Sequence, residues 1–118
     1  MFAHVFAGIP VASYTLSQAW YAQFVGRPPD LLPSENEAAW QMSQAGWLCL
    51  VADVERAGSA AHTLIVDDLD AFLAGLGDRG MAAGPVETIG GNVRFTLVTD
   101  PDGNRLTVGQ LVAEGGSG

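Results

Sequence analysis

The two histidines are the residues with the clearest potential for chemistry. His4 and His62 are the only histidines in the chain, and they lie 62 − 4 = 58 positions apart. Each falls in an apolar stretch with the alternation of a strand, so His4 shares a face with Phe2 and Phe6, and His62 with Leu64. Neutral imidazole binds Zn, Fe, Ni or Cu. The pair therefore predicts two metal or ligand contacts that face one cavity.

Cys49 is the candidate for a third ligand. Moving Cys49 by the same 58 positions leads to Thr107, and moving Trp47 leads to Arg105. A cysteine in an apolar strand is commonly a small inert hydrophobe, but a thiolate beside two histidines is also a known catalytic zinc arrangement. Two histidines alone make a weak site, because catalytic zinc usually has three protein ligands. Both interpretations of Cys49 stay open, and the metal set is His4, His62 and Cys49.

Four further residues could contact a small molecule. Arg105 could bind a carboxylate or phosphate group, or it could reach solvent at the rim of a site. Thr107 could hydrogen-bond to a ligand, although a β-branched residue needs no such role in a strand. Trp40 and Trp47 flank one predicted hairpin and could line a cup for a planar or apolar ligand, or pack in a core or an interface. The predicted ligand-binding residues are His4, Trp40, Trp47, His62, Arg105 and Thr107.

The second half of the chain has the clearer pattern of elements. A strand is predicted at 60–66, followed by a helix that Asp67 or Asp68 can cap. The helix has one apolar stripe, formed by Leu69, Phe72, Leu73 and Leu76. Strands are predicted near 81–88, 93–99 and 105–110. The last two are joined by the sequence Asp-Pro-Asp-Gly-Asn at 100–104, which is typical of a tight turn.

The first half repeats this plan. It predicts a strand at 2–9, a helix capped by Ser13 or Thr15 and ended by Gly26, a short edge strand at 30–32, and a hairpin of 38–42 with 47–52. The fold class is therefore α+β, with two βαβββ modules whose mixed sheets form a half-closed cup and whose helices pack outside. We expect one domain over 1–113, with modules at about 2–57 and 58–111, and a flexible tail at 114–118.

Composition restricts the classes of function. The chain has 118 residues and 48% hydrophobic residues, so it can bury a core and is not disordered. Five Lys+Arg and a net charge of −8 argue against a nucleic-acid partner. No apolar run approaches the roughly 20 residues that span a bilayer, so no membrane partner is expected. A single cysteine is compatible with a reducing cytoplasm.

Two stretches carry a family resemblance. The segment His-Thr-Leu-Ile-Val-Asp-Asp-Leu-Asp-Ala at 62–71 and the segment Asp-Pro-Asp-Gly-Asn-Arg-Leu-Thr at 100–107 resemble the second module of the vicinal oxygen chelate superfamily. Ala19-Trp20-Tyr21 and Val25-Gly26 resemble the ends of that family's first helix. The superfamily includes glyoxalase, bleomycin-resistance proteins, fosfomycin-resistance enzymes and extradiol dioxygenases, so the resemblance identifies a fold better than a reaction.

The resemblance also implies a metal site, and this chain departs from it. The family's enzymes usually hold a divalent metal at four inward positions, which fall here on His4, Cys49 (Leu50 after a one-residue slip), His62 and Thr107. The two histidines match, but the carboxylates that the family uses are absent. The implied cofactor is at most a divalent metal such as Zn, Fe, Ni or Mn. The family also implies a homodimer.

Two functions remain open at this point. One is a non-catalytic protein of the bleomycin-resistance kind, which binds a small hydrophobic or aromatic molecule in a cup between its modules and has a degenerate metal site. The other is a metal-dependent lyase, isomerase or dioxygenase that uses His4 and His62 as ligands. The missing carboxylates favour the first and the matching histidines favour the second, so the sequence leaves it undecided whether the protein is an enzyme.

Overall fold

The computed structural model describes residues 1–111, which form two βαβββ modules. The predicted tail at 114–118 lies outside these residues. Module one contains β1 (Val5–Val11), α1 (Tyr14–Val25), β2 (Leu31–Ser34), β3 (Glu37–Gln41) and β4 (Gly46–Ala52). Module two contains β5 (Ala61–Ile65), α2 (Leu69–Asp78), β6 (Glu87–Ile89), β7 (Val93–Thr99) and β8 (Arg105–Leu111). The predicted α+β fold class is confirmed.

Each module has its own mixed sheet of four strands. The strand orders are β1-β4-β3-β2 and β5-β8-β7-β6, with β1 parallel to β4 and β5 parallel to β8. The other pairs are antiparallel. The two sheets do not join into a closed barrel. None of the helices in the described chain is long and apolar enough to cross a membrane.

Both helices begin at residues that the sequence predicts, and α1 also ends where predicted. The Ser13 hydroxyl caps α1 by accepting a hydrogen bond from the Leu16 amide, and Gly26 ends this helix in a left-handed conformation with φ 93°. Asp68 caps α2 through the Ala71 amide. On α1 the side chains of Tyr21 and Phe24 are buried, whereas Leu16 is exposed.

Two strand predictions need correction. β1 begins at Val5 rather than at residue 2, so His4 precedes the strand. The long strand predicted at 81–88 is reduced to the three residues Glu87–Ile89. The Gly84-Pro85 pair in the middle of this segment explains the difference, because Pro85 has no N–H to donate and the Gly84 carbonyl accepts from the Thr96 hydroxyl instead of a backbone N–H.

The two helices pack together, so that both modules share one core. The rings of Phe24 on α1 and Phe72 on α2 meet edge to face with centroids 5.7 Å apart. The Arg79 guanidinium at the end of α2 donates hydrogen bonds to the Gln23 and Phe24 carbonyls at the end of α1. The largest buried side chains come from both modules: Trp40, Tyr21, Phe24, Ile9, Leu48, Leu50, Leu69, Leu76 and Leu106.

The turn at 100–104 joins the modules. The fully buried Asn104 side chain donates from Nδ2 to the Pro10 carbonyl at 2.8 Å, and its Oδ1 accepts from the Ala60 amide at 2.9 Å. The Asp100 carboxylate accepts a 2.8 Å hydrogen bond from the Tyr21 hydroxyl. Burial first, and then this carboxylate, raise the pKa of Tyr21 far above its ordinary value. The turn therefore connects β1, α1 and the start of β5.

The strand pairs show that the modules are not related by one offset of 58. Val5 pairs with Gly46, a separation of 46 − 5 = 41, whereas Ala61 pairs with Arg105, a separation of 105 − 61 = 44. If Cys49 corresponds to Thr107, the pairing makes Ala7 rather than His4 the counterpart of His62. His4 and His62 therefore do not occupy equivalent positions in the two sheets, although they are 58 residues apart.

We expect Asn104→Ala to lower the free energy of unfolding by about 2–4 kcal/mol, because it removes two inter-element hydrogen bonds and leaves their buried partners unsatisfied. Urea denaturation measures the change. Asn92→Ala is the matched control, because Asn92 lies in an exposed turn and should shift the midpoint little. Equal midpoints for the two variants would contradict the role assigned to the turn.

Candidate ligand-binding site

Strand alternation gives each sheet a helix-facing side and an open side. In module one, Ile9 and Leu50 pair on the helix-facing side and are fully buried, whereas Phe6 pairs with Trp47 on the open side. In module two, Leu106 and Val108 are buried on the helix-facing side. These two sides decide which of the predicted site residues can act together.

His4 contacts the open side of module one. Its Nδ1 accepts a hydrogen bond from Trp47 Nε1 at 3.1 Å, and the Trp47 ring stacks on Phe6 with centroids 5.1 Å apart. The Nδ1 atom therefore carries no proton in this arrangement. His4, Phe6 and Trp47 form an aromatic cluster at the start of β1 and β4.

His62 lies on the other side of its own sheet. It pairs with Leu106, which is on the helix-facing side, and its Nε2 lies 2.8 Å from the Gly8 carbonyl oxygen, to which it donates. This hydrogen bond links the free edge of β1 to β5. The structure therefore does not bring the two imidazoles into one cavity, because His4 is bound to Trp47 and His62 to the backbone of β1.

Cys49 does not complete a metal site within the chain. It is half-buried on the open side, opposite Gly8 in the strand pair. Burial first, and then the nearby Glu37 carboxylate, raise the pKa of its thiol. Residues 1–111 contain no group of three or more His, Cys, Asp or Glu that could hold a metal ion. The predicted set of His4, Cys49 and His62 thus does not fit a divalent metal.

The remaining predicted binding residues are also separated. Trp40 is fully buried, and its indole N–H donates to the Arg27 carbonyl at 2.9 Å, so it is a core residue. Arg105 and Thr107 lie on the open side of the second sheet, where Arg105 is exposed and Thr107 is half-buried opposite Thr63. Of the six predicted residues, only Trp47 lines the cavity that the modules enclose.

That cavity is a cleft of about 580 Å³ between the modules. Most of the residues in its walls are apolar and come from the helix-facing sides of the sheets and from both helices. They include Ala7, Leu48, Leu64, Val108, Phe24 and Phe72, with Val5 and Trp47 at the starts of β1 and β4 and Thr63 in the middle of β5. The cleft combines aromatic faces with aliphatic walls, which is the common composition of a site for a small organic molecule.

Among residues 1–111, Arg27 is the single charged residue that lines the cleft. Its Nη1 lies 2.7 Å from Asp30 Oδ2, and its Nη2 donates to the Gln41 carbonyl. The Asp30 carboxylate also accepts the Gln41 amide at 2.7 Å. This amide and the guanidinium lower the pKa of Asp30, with the amide as the larger cause. The charge of Arg27 is therefore already balanced before any ligand enters.

Phe24 and Phe72 are cleft-lining residues that the sequence analysis did not predict as such. Both were assigned to the apolar stripes of the helices, and both do contact the core. Both residues also line the cleft. This depends on how the two helices pack against each other, which the local periodicity of either helix cannot show. One signal in the sequence could have indicated this contact. Each helix carries a phenylalanine on its apolar face, and the protein is built from two similar modules.

The fold and the cleft define a protein with two βαβββ modules of the vicinal oxygen chelate kind. No protein-family model matches the chain, and no curated protein is detectably similar to it. A solved glyoxalase/bleomycin resistance protein from Catenulispora acidiphila DSM 44928 has 40% identity and a TM-score of 0.86, over 92% of this chain and 97% of the other. The chain therefore belongs to the glyoxalase/bleomycin resistance family.

Two further solved structures are similar. TnmS3, an antibiotic binding protein from Streptomyces sp. CB03234, has 26% identity and a TM-score of 0.73, over 94% of this chain and 97% of the other. A bleomycin-binding protein in complex with bleomycin has 18% identity and a TM-score of 0.75, over 91% of this chain and 97% of the other. The likeness to the bleomycin-binding protein, at this low identity, shows a shared fold alone.

The raised pKa of Cys49 predicts a slow thiol. At pH 7 the thiolate fraction should be small, so alkylation by iodoacetamide should be at least about tenfold slower than for the unfolded chain in urea. The rate should keep rising as the pH passes the ordinary thiol value of 9.0. Mass spectrometry of timed samples measures the rate. Fast alkylation at neutral pH would show that an activated thiolate is present.

Proposed function

We propose that the protein binds a small neutral molecule with aromatic or aliphatic groups in the cleft between its modules, and that it does so without catalysis. The cleft itself carries this proposal, because Phe72 and Trp47 offer aromatic surface within largely apolar walls. TnmS3, at 26% identity, is described as an antibiotic binding protein, which supports the same kind of role here.

The electrostatics of the cleft favour a neutral ligand. Arg27 is paired with Asp30, and an ionised ligand would have to lose its hydration on entering largely apolar walls. The net charge of −8 also opposes anions. The donor chemistry supports binding over metal-dependent catalysis, because both histidines are engaged elsewhere and the Cys49 thiol holds its proton.

We further propose that two copies pair through the open sides of their sheets. The exposed residues there include Phe6 in module one and Leu97 in module two, and such apolar surface on a sheet is commonly covered by a partner. The open side also carries Thr107 and Arg105, whose roles then belong to the region between copies. A cytoplasmic location remains part of the proposal, supported by the single cysteine.

Placing a charge in the wall tests the ligand site. Val5 lines the cleft and is partly exposed, so Val5→Asp should leave the fold intact. It should weaken the binding of a neutral aromatic fluorophore such as N-phenyl-1-naphthylamine about tenfold, because a carboxylate must be desolvated beside the ligand. Val54→Asp is the control, since Val54 is similarly exposed outside the cleft. Equal affinities in a fluorescence titration would refute this site.

Light scattering tests the pairing of copies. The unmodified protein should have twice the chain mass of 12.3 kDa at micromolar concentration. Leu97→Glu should give the monomer, because it places a charge on the open side of β7, whereas Leu16→Glu on α1 should remain dimeric. A monomer for the unmodified protein would exclude the proposed pairing.

A further inference from the structure

The backbone of β5 has a free edge at the cleft. The Ala60 carbonyl and the Val66 amide bond to β8, so the even-numbered residues of this strand point their backbone groups at β8. The N–H and C=O groups of Thr63 and Ile65 therefore point away from the sheet, towards β1. Both residues line the cleft, although their side chains belong to the open side. Thr63 and Ile65 therefore reach the cavity through their backbone groups.

These edge groups have no hydrogen-bond partner among residues 1–111. β1 and β5 form no backbone ladder, and side chains bridge them at one end only, where His62 reaches Gly8 and Asn104 joins Pro10 to Ala60. Beyond those bridges the walls of the cleft line the gap between the two strands. Thr63 and Ile65 are exposed, so they offer two donor–acceptor pairs beside apolar walls to a ligand that replaces water.

We propose that the cleft selects peptide-like aromatic compounds, which carry a secondary amide N–H and C=O and add to the edge of β5 as a further strand would. The inference rests on the proposed ligand site and names the chemical class that this site accepts. Within an extended residue the N–H and C=O point to the same side, so one acylated amino-acid unit matches the pair that Thr63 presents. The aromatic group of the ligand packs against Phe72 or Trp47.

A matched pair of ligands tests this selection. N-acetyl-L-phenylalanine N-methylamide carries the required N–H, and O-acetyl-L-phenyllactic acid N-methylamide has the same shape with an ester oxygen in its place. Titration of ¹⁵N-labelled protein by NMR gives both dissociation constants and the location of binding. The amide should bind about three- to tenfold more tightly than the ester, the effect of one hydrogen bond, and should shift the Thr63 and Ile65 amide signals.

Variants at Thr63 distinguish the contribution of its backbone N–H to binding from that of its side chain. Thr63→Pro removes an N–H that takes no part in the ladder to β8, and Pro10 already occupies a position of this kind in β1. This variant should weaken binding of the amide about three- to tenfold. Thr63→Val removes the hydroxyl but keeps the N–H, so it should bind the amide more tightly than Thr63→Pro does. If Thr63→Pro fails to fold, the ligand pair on the unmodified protein still decides.

The outcomes distinguish this inference from the proposed function. If amide and ester bind equally, or if Thr63 and Ile65 signals do not respond, the selection for amides is wrong while the apolar cleft stands. If neither compound binds and N-phenyl-1-naphthylamine does not bind either, the ligand site itself is wrong and the inference falls with it.

Discussion

The side-chain amide of Asn104 is the interaction on which the arrangement of the modules most depends. It fills the space between the end of β1 and the start of β5, and it satisfies one buried backbone group on each of them. With Asp100 it also positions Tyr21, and thereby α1, against module two. The two strands are held together at this end by side chains rather than by a ladder. They are therefore free to diverge at the other end, where the cleft opens.

The sequence predicts most elements because their signals are local. The apolar stripe of α2, its Asp68 cap and the Gly26 end of α1 all depend on residues within a few positions of one another. The turn at 100–104 is also recognisable, but its contact with Pro10 is not, since 94 residues separate Asn104 from Pro10. The prediction of a strand at 81–88 is wrong for a local reason, which the Gly84-Pro85 pair shows in the sequence itself.

The candidate site is less predictable because side-chain direction depends on the register of pairs that are distant in sequence. The strand pairs in the two modules are separated by 41 and 44 residues, and the difference of three is odd. An odd shift moves a side chain to the other face of a strand. His4 and His62 share a spacing that suggests one cavity, yet Trp47 engages one and Gly8 the other. Counting along the chain cannot detect this shift.

The contact between Phe24 and Phe72 explains why the ligand cleft and the open sides are separate surfaces. Because the two helices meet each other, the helix-facing sides of both sheets turn towards a shared interior, and the cleft is the part of that interior which side chains leave unfilled. The open sides then point away from it, with Phe6 and Leu97 exposed. A ligand in the cleft would contact both modules, whereas a second copy would contact the open sides. The two surfaces meet at Trp47, Thr63 and Ile65, so changes away from these residues can alter one surface without altering the other.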